Sequence, residues 1–205
     1  MLEADNLECV RGDRSLFRDL SFRVDGGQCL LVSGLNGSGK TSLLRILCGL
    51  LAPMHGTVRW RGQPIRALGD AYRSELSYLG HLSAVKEELS AAENVEVASA
   101  LAGRSVPAQA ARSALAEAGL RRREDLPVRV LSQGQKRRVA LARLLLGGST
   151  LWLLDEPVTA LDADAVKWLA GEIDRHVARG GVAVLTSHQD LPLATAPLQT
   201  LRLRA

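Results

Sequence analysis

One segment of this chain, with the sequence GLNGSGKT over Gly34–Thr41, lies between an apolar stretch and a helix-forming one. Its spacing is that of a phosphate-binding loop, because the glycines let successive backbone N–H groups face a phosphate at the start of a helix. We expect Lys40 to reach the β- and γ-phosphates of a nucleotide and the Thr41 hydroxyl to bind Mg²⁺. The predicted nucleotide-binding residues of this segment are Leu35, Asn36, Gly37, Ser38, Gly39, Lys40, Thr41 and Ser42.

Two carboxylates end a second apolar stretch, whose sequence over Leu151–Glu156 is LWLLDE. A buried strand of this kind delivers its last side chains to the carboxyl edge of an α/β sheet, where such sheets bind ligands. We therefore expect Asp155 to hold the Mg²⁺ shell through water and Glu156 to polarise an attacking water. His188 follows the next apolar stretch and is placed to contact the γ-phosphate, although a lone histidine is more often a surface or core residue.

A short polar segment, LSQGQ over Leu131–Gln135, lies between the glycine-rich loop and the acidic strand. A serine followed three residues later by glutamine predicts a capping box that opens a helix over Gln135–Leu146. A helix N-terminus can hold an anion, but this helix belongs to an insert away from the chain's own phosphate loop. We therefore predict that Ser132, Gly134 and Gln135 meet a γ-phosphate carried by a second protomer. A plain helix cap is the alternative that spacing alone leaves open.

The elements that position these residues follow from hydrophobic period and turn signals. Strand-like segments with turns dominate the first 80 residues, and the period becomes helical from Ser90 to Gly147. The predicted strands are Leu2–Cys9, Leu16–Val24, Cys29–Ser33, Thr57–Trp60, Leu76–Leu79, Leu151–Leu154, Val182–Thr186 and Leu198–Leu203. Helices are predicted from Gly39 to about Leu50, after a capping box at Ser90–Glu93, over Gln135–Leu146 and near Ala163–Ala178. One predicted apolar helix stripe consists of Ala111, Ala114, Leu115 and Ala118.

This pattern predicts a single α/β domain over residues 1–205, because strands alternating with helices imply a mainly parallel sheet. We assign a core to about residues 1–82 and 149–205, with a helical subdomain inserted at about 83–148. The early strands predict a small antiparallel β flap beside this core.

The composition excludes several classes of protein. Only 3% of the residues are aromatic, so base-stacking platforms are not expected and no nucleic-acid partner is predicted. No stretch approaches the roughly 18 apolar residues of a membrane span, and the N-terminus lacks the apolar core of a secretory signal. The cysteines Cys9, Cys29 and Cys48 are widely spaced without a metal-binding pattern, so we interpret them as reduced thiols.

The chain resembles the nucleotide-binding domain of ABC transporters, and the resemblance covers essentially its whole length. The motifs that carry it, in chain order, are Gly34–Thr41, Leu131–Gln135, Leu151–Glu156, Ala160–Asp162 and His188. The resemblance implies a P-loop NTPase fold with a RecA-like core, ATP and Mg²⁺ as cofactors, and a head-to-tail dimer that sandwiches two ATP molecules. It also implies that Glu156 is the general base, that His188 is a switch histidine and that the Asp162 loop contacts the partner's site.

More narrowly, the chain resembles the ATP-hydrolysing subunits of the haem exporters of cytochrome c maturation. The suggestive features are its small size, Tyr78–His81 (YLGH), Leu131–Leu146 (LSQGQKRRVALARLLL) and an end soon after Ser187–Leu191. This resemblance implies integral membrane permease partners that dock on the helical insert, and a peripheral location on the cytoplasmic face of the inner membrane. The alternatives are an ATPase subunit of another ABC importer or exporter, and a soluble ABC ATPase that acts on nucleic acid or ribosomes.

Two positions depart from the pattern of the transporter family. His81 stands where the family usually has a glutamine that binds Mg²⁺, and imidazole is a poor ligand for a hard cation. We expect His81 to act through water or as a coupling residue. Arg11 occupies the place of an aromatic residue that stacks on adenine, and we expect its planar guanidinium to stack instead.

Overall fold

A parallel sheet of five strands and an antiparallel sheet of four strands form the framework of the protein. The computed structural model describes residues 1–189 and 191–203. The strands are β1 (Leu2–Arg11), β2 (Arg14–Val24), β3 (Gln28–Ser33), β4 (His55–Trp60), β5 (Gln63–Pro64), β6 (Leu76–Leu79), β7 (Leu151–Asp155), β8 (Val182–Thr186) and β9 (Leu198–Arg202). The helices are α1 (Lys40–Leu47), α2 (Ile65–Leu68), α3 (Asp70–Ser74), α4 (Ala91–Leu101), α5 (Ala108–Leu115), α6 (Gln133–Leu146) and α7 (Ala163–Ala178). A π turn over Ala116–Leu120 and a 3₁₀ turn over Val128–Val130 complete the described elements.

The parallel sheet has the strand order β6-β7-β8-β3-β9. Every residue of β7 and β8 is buried, as expected for central strands of a parallel sheet that helices cover on both faces. The strands β3, β7 and β8 run in the same direction, so the segments that follow them emerge at one edge. These segments are the phosphate loop, the carboxylate pair and His188, which the fold therefore brings together.

The antiparallel sheet has the order β2-β1-β4-β5 and confirms the predicted β flap. Helix α1 lies between the two sheets, because its buried residues pack in one cluster with side chains of β1 and β4 on one side and of β3, β7 and β8 on the other. The helix ends at Leu47, before the predicted end near Leu50, since the N–H groups of Leu50 and Leu51 both turn back to the carbonyl of Arg45. The phosphate loop thus rests on a helix held from two sides.

Helices α4, α5 and α6 share a second apolar cluster, to which the four residues of the predicted stripe belong. Both predicted capping boxes are confirmed, at Ser90 for α4 and at Ser132 for α6, which begins at Gln133. Helix α6 also packs on the parallel sheet, since Ala140, Leu141 and Leu144 lie in a cluster with residues of β7 and β8. The bounds proposed for a separate helical subdomain remain a prediction, because α6 contributes to both clusters.

Two further expectations concern cysteines and membrane spans. Cys9, Cys29 and Cys48 are free and buried, and burial raises the pKa of the Cys29 thiol to about 12. Over residues 1–189 and 191–203, no helix has both the length and the apolar composition needed to cross a bilayer.

Candidate active site

A cleft of about 580 Å³ opens at the carboxyl edge of the parallel sheet. Its volume lies within the range of small-molecule sites, roughly 300–1,000 Å³. The structure brings most of the sequence-predicted site residues to its walls, namely Arg11, Asn36, Gly37, Gly39, Lys40, Thr41, Ser42, His81, Asp155, Glu156 and His188. Sequence reasoning missed four further lining residues, Leu16, Val158, Thr159 and Gln189.

Five predicted site residues do not line this cleft. Leu35 is 73% exposed at the tip of the phosphate loop, and Ser38 is buried beneath it. Ser132, Gly134 and Gln135 lie at the N-terminus of α6, where Ser132 is exposed and the other two are half-buried. The N-terminus of α6 therefore lies outside the chain's own cleft.

The turn at Gly39 shapes the phosphate loop. Gly39 has φ 99° at the N-cap of α1, a left-handed conformation that favours glycine. A Cβ at this position would lie 3.1 Å from side-chain atoms of Leu16 and Phe17, so the β flap also packs closely against it. The first turn of α1 contains no acidic residue and receives no side-chain cap. Its backbone N–H groups are therefore open to an anion, which the helix dipole favours.

The side chain of Lys40 contacts both the phosphate loop and His188. Its ammonium donates to the carbonyls of Gly34 (2.9 Å) and Leu35 (3.3 Å) and lies 3.1 Å from Nε2 of His188. An ammonium group has donors only, so Nε2 of His188 is the acceptor in a hydrogen bond of this pair. The phosphate-loop lysine and the predicted switch histidine are therefore in direct contact.

The two carboxylates each keep one buried oxygen without a hydrogen-bond partner among the described residues. Asp155 Oδ1 accepts from the Thr186 hydroxyl (2.9 Å), and Oδ2 is the unpaired atom. Glu156 Oε2 accepts from the backbone N–H of His188 (3.3 Å). Its Oε1 lies 3.5 Å from the ring atom Nε2 of His188, without hydrogen-bond geometry. A buried carboxylate oxygen left unpaired costs free energy, and a hard cation or a water molecule satisfies it. The chemistry of these oxygens fits the predicted Mg²⁺ and attacking water.

Two residues that sequence reasoning did not select hold the carboxylates in place. The Thr186 hydroxyl, beyond its bond to Asp155, accepts from the Glu156 N–H (2.8 Å). Arg137 is buried and donates to the carbonyls of both Asp155 and Glu156. Burial lowers the pKa of Arg137, and the nearby carboxylates of Asp155 and Glu156 partly offset this. Thr186 stands at a strand end directly before Ser187-His188, and this position could have indicated a site residue. Nothing in the sequence KRRVALAR distinguishes Arg137 from its neighbours.

Asp162 is engaged within the chain. Its carboxylate caps α7 by accepting from the Ala165 N–H (2.9 Å), and it also accepts from Arg138. The hydrogen bond from Ala165, together with Arg138, lowers the pKa of Asp162. The predicted contact between the Asp162 loop and a partner's site remains a prediction, with the carboxylate itself already paired.

The remaining predicted positions, Arg11 and His81, both lie on exposed parts of the cleft wall. None of the described residues that line the cleft is a phenylalanine, tyrosine or tryptophan. The stacking of Arg11 on a nucleotide base remains a prediction.

Comparison with known proteins gives a consistent result. The sequence model of the ABC transporter family matches residues 17–159. The cytochrome c biogenesis ATP-binding export protein CcmA of Dechloromonas aromatica is 54% identical over 203 residues, covering 99% of this chain and 100% of the relative. Its namesake in Pseudomonas aeruginosa is 52% identical over 205 residues and is covered in full, as is this chain.

Solved structures resemble the chain over nearly its whole length. A putative ABC transporter ATP-binding protein from Pyrococcus furiosus has a TM-score of 0.84 and 25% identity, covering 98% of this chain and 96% of that one. A bacterial ABC transporter cassette solved as a dimer also has a TM-score of 0.84, at 23% identity, with 98% and 94% covered. The second likeness supports the fold alone.

Proposed function

Because this chain belongs to the ABC transporter family, and within it to the cytochrome c biogenesis ATP-binding export proteins, we propose that it hydrolyses ATP for a membrane complex that handles or exports haem during c-type cytochrome maturation. The observation that carries the hydrolytic part is the meeting of three groups in one cleft. Lys40 Nζ lies 3.1 Å from His188 Nε2, which lies 3.5 Å from Glu156 Oε1. A cation suited to bind phosphate, an imidazole ring and a carboxylate thus converge where the γ-phosphate is expected.

The phosphate loop would hold the triphosphate of ATP. The open N–H groups at the start of α1 face the phosphates, and Lys40 exchanges its loop carbonyl partners for phosphate oxygens. Thr41 and the unpaired Oδ2 of Asp155 would hold Mg²⁺. When bound, the ion would neutralise negative charge on the phosphates.

Glu156 would serve as the general base. Its unpaired Oε1 accepts the proton of the water that attacks the γ-phosphate, while the His188 N–H holds Oε2. The imidazole of His188 contacts Lys40 in this structure and would turn to the γ-phosphate when nucleotide is present. The products are ADP and phosphate, with the proton carried by Glu156 until it is released.

A second copy of the chain would complete each site. The N-terminus of α6 lies outside the chain's own cleft, and its cap residue Ser132 is exposed. In a head-to-tail dimer, Ser132, Gly134 and Gln135 of one protomer would cover the ATP held by the other. A cassette of the same fold was itself solved as a dimer.

Integral membrane permease subunits are the proposed further partners, with the chain bound peripherally at the cytoplasmic face of the inner membrane. A groove of about 310 Å³ runs between the edge strand β6 and helix α4. Leu101 on its wall is 84% exposed, and the half-buried Leu76 and Ala98 add apolar surface. An apolar groove beside the segment that leads from His81 into α4 suits a docking element of such a subunit.

Lys40→Ala in cells tests the haem assignment. We expect loss of mature c-type cytochromes with normal b-type cytochromes, because the alanine cannot hold the phosphates and ATP-driven haem handling stops. Haem-stained gels and membrane difference spectra measure the two classes. Lys167→Ala, at an exposed position of α7, is the matched control and should leave both classes normal. Normal c-type cytochromes in the Lys40→Ala strain would remove the haem assignment and leave a transporter ATPase of other cargo.

Arg11 gives a prediction about base selectivity. A guanidinium that stacks on the base through its plane does not read the ring substituents. We therefore expect GTP to compete with ATP within about one order of magnitude, and Arg11→Ala to weaken both nucleotides alike. Competition for a fluorescent ATP analogue measures both affinities. Strong rejection of GTP would mean that hydrogen bonds select the base and that Arg11 does not stack on it.

A further inference from the structure

The buried guanidinium of Arg137 has an unusual set of partners. Its side chain is 3% exposed, and all five of its N–H donors are used by backbone carbonyl oxygens rather than by a carboxylate. The acceptors are the carbonyls of Pro157 (3.3 Å, from Nε), Gly80 (2.9 Å) and His81 (3.3 Å, both from Nη1), and Asp155 (2.7 Å) and Glu156 (2.9 Å, both from Nη2). One side chain thus ties together the two segments that carry His81 and the catalytic carboxylates.

The backbone of Glu156 needs this support. Its φ of 47° lies in the left-handed region, which a residue with a side chain adopts only where its surroundings impose it. The peptide groups on either side of this residue are held, because its N–H donates to Thr186 Oγ1 (2.8 Å) and its carbonyl accepts from Arg137 Nη2 (2.9 Å). The resulting turn places the Glu156 carboxylate against the N–H of His188 (3.3 Å).

The first turns of α6 hold the whole catalytic turn, residues 155–162. A Cβ at Gly134 would lie 2.5 Å from the carbonyl oxygen of Ala160, so only glycine allows the helix to approach this closely. Arg138 pairs with Asp162 at the far end of the turn. The same helix is capped by Ser132, the residue proposed to face the nucleotide of the second protomer.

We propose that Arg137 is a positioning residue for ATP hydrolysis, which holds Glu156 in its left-handed conformation and couples it to helix α6. The carboxylate of one site is thereby tied to the helix that would contact ATP in the other site. This inference rests on the proposed roles of Glu156 and Ser132 and adds a residue that acts through Glu156 without touching ATP.

The test uses the complex purified from membranes through a tag on this chain. Arg137→Lys and Arg137→Gln keep a polar group but cannot reach all five carbonyls. We expect kcat to fall about 10- to 100-fold, as a displacement of about 1 Å does, with the lysine variant the more active. The dissociation constant for ATP should change less than about three-fold, since the phosphate loop is untouched. An unchanged kcat, or equal losses of kcat, ATP affinity and thermal stability, would overturn the proposal.

Arg175→Lys is the matched control. Arg175 is exposed on α7, outside both the cleft and the groove proposed for permease docking, and donates to Glu172 of the same helix (3.2 Å). We expect kcat within about two-fold of the parent, since a surface change away from the site has little effect. A loss as large as that of the Arg137 variants would mean that any arginine-to-lysine change lowers activity.

A double variant separates positioning from plain stability. If Arg137 acts only through Glu156, then Arg137→Lys in a Glu156→Gln background should slow single-turnover hydrolysis by no more than about three-fold further. Full additivity of the two losses would contradict the proposal. A Glu156→Gln protein that stays active would instead remove the role of Glu156, and an inactive Glu156→Gln beside a fully active Arg137→Lys would remove only the role of Arg137.

Discussion

Glu156→Gln is expected to stop steady-state ATP hydrolysis and to leave ATP binding intact. The amide keeps the shape of the side chain and the contact with the His188 N–H, but it cannot take a proton from water. Loss of a general base costs about 10²- to 10⁴-fold in rate. Phosphate release by the membrane complex at saturating ATP measures the loss, and equilibrium binding measures the affinity.

The same variant should also accumulate as an ATP-bound dimer, because the step that opens it is blocked. Size-exclusion chromatography with ATP and Mg²⁺ would detect this species. Glu117→Gln, at an exposed position of the π turn, is the matched control and should keep the parental rate. Hydrolysis by Glu156→Gln at a near-parental rate would show that another group accepts the proton.

Ser132→Arg is expected to stop turnover while a single protomer still binds nucleotide. Ser132 is exposed at the N-terminus of α6, and a long cationic side chain there would block the approach of a nucleotide carried by the second protomer. We expect at least about a 10²-fold loss in kcat, the size of effect seen when groups that position a reacting phosphate are displaced. ATPase assays on the complex, with nucleotide binding to the isolated chain, measure the two quantities separately.

The control for Ser132→Arg is Ser90→Arg, because Ser90 closes an identical type of capping box on α4. Each substitution removes a helix cap worth about 1 kcal/mol, so both variants should lose similar thermal stability. Only the change at Ser132 should stop turnover. If Ser132→Arg lost monomer binding and turnover equally, the site shared between two protomers would be contradicted.

The features that the sequence predicted correctly depend on local patterns of residues. The phosphate loop and both capping boxes depend on residues a few positions apart, so their backbone conformation follows from nearby sequence. The continuous apolar stretches at β7 and β8 predicted buried parallel strands, which are found. Because parallel strands end at a common edge, the approach of Lys40, Glu156 and His188 could be anticipated as well.

The features of the site that the sequence did not predict depend on long-range packing. Val158, Thr159 and Gln189 join the cleft wall only because the chain turns there after two strands. Their residue types carry no signal for a nucleotide site, and no local pattern predicts the direction of those turns. Likewise, the exposure of Leu101 beside an edge strand appears only once α4 is packed.

The adjacent arginines of α6, Arg137 and Arg138, show most clearly which features follow from the local sequence and which depend on tertiary structure. The sequence by itself determined a helix capped by Ser132 with three basic residues, Lys136, Arg137 and Arg138, near its beginning, because capping and helix propensity act within a few residues. Tertiary structure alone decided that Arg137 lies under the Glu156 turn while Arg138 reaches Asp162. Neighbours on a helix point about 100° apart, so the surfaces they meet depend on how α6 packs between its two apolar clusters. A buried guanidinium must find acceptors to offset its desolvation, and only the folded chain places five carbonyls around Arg137.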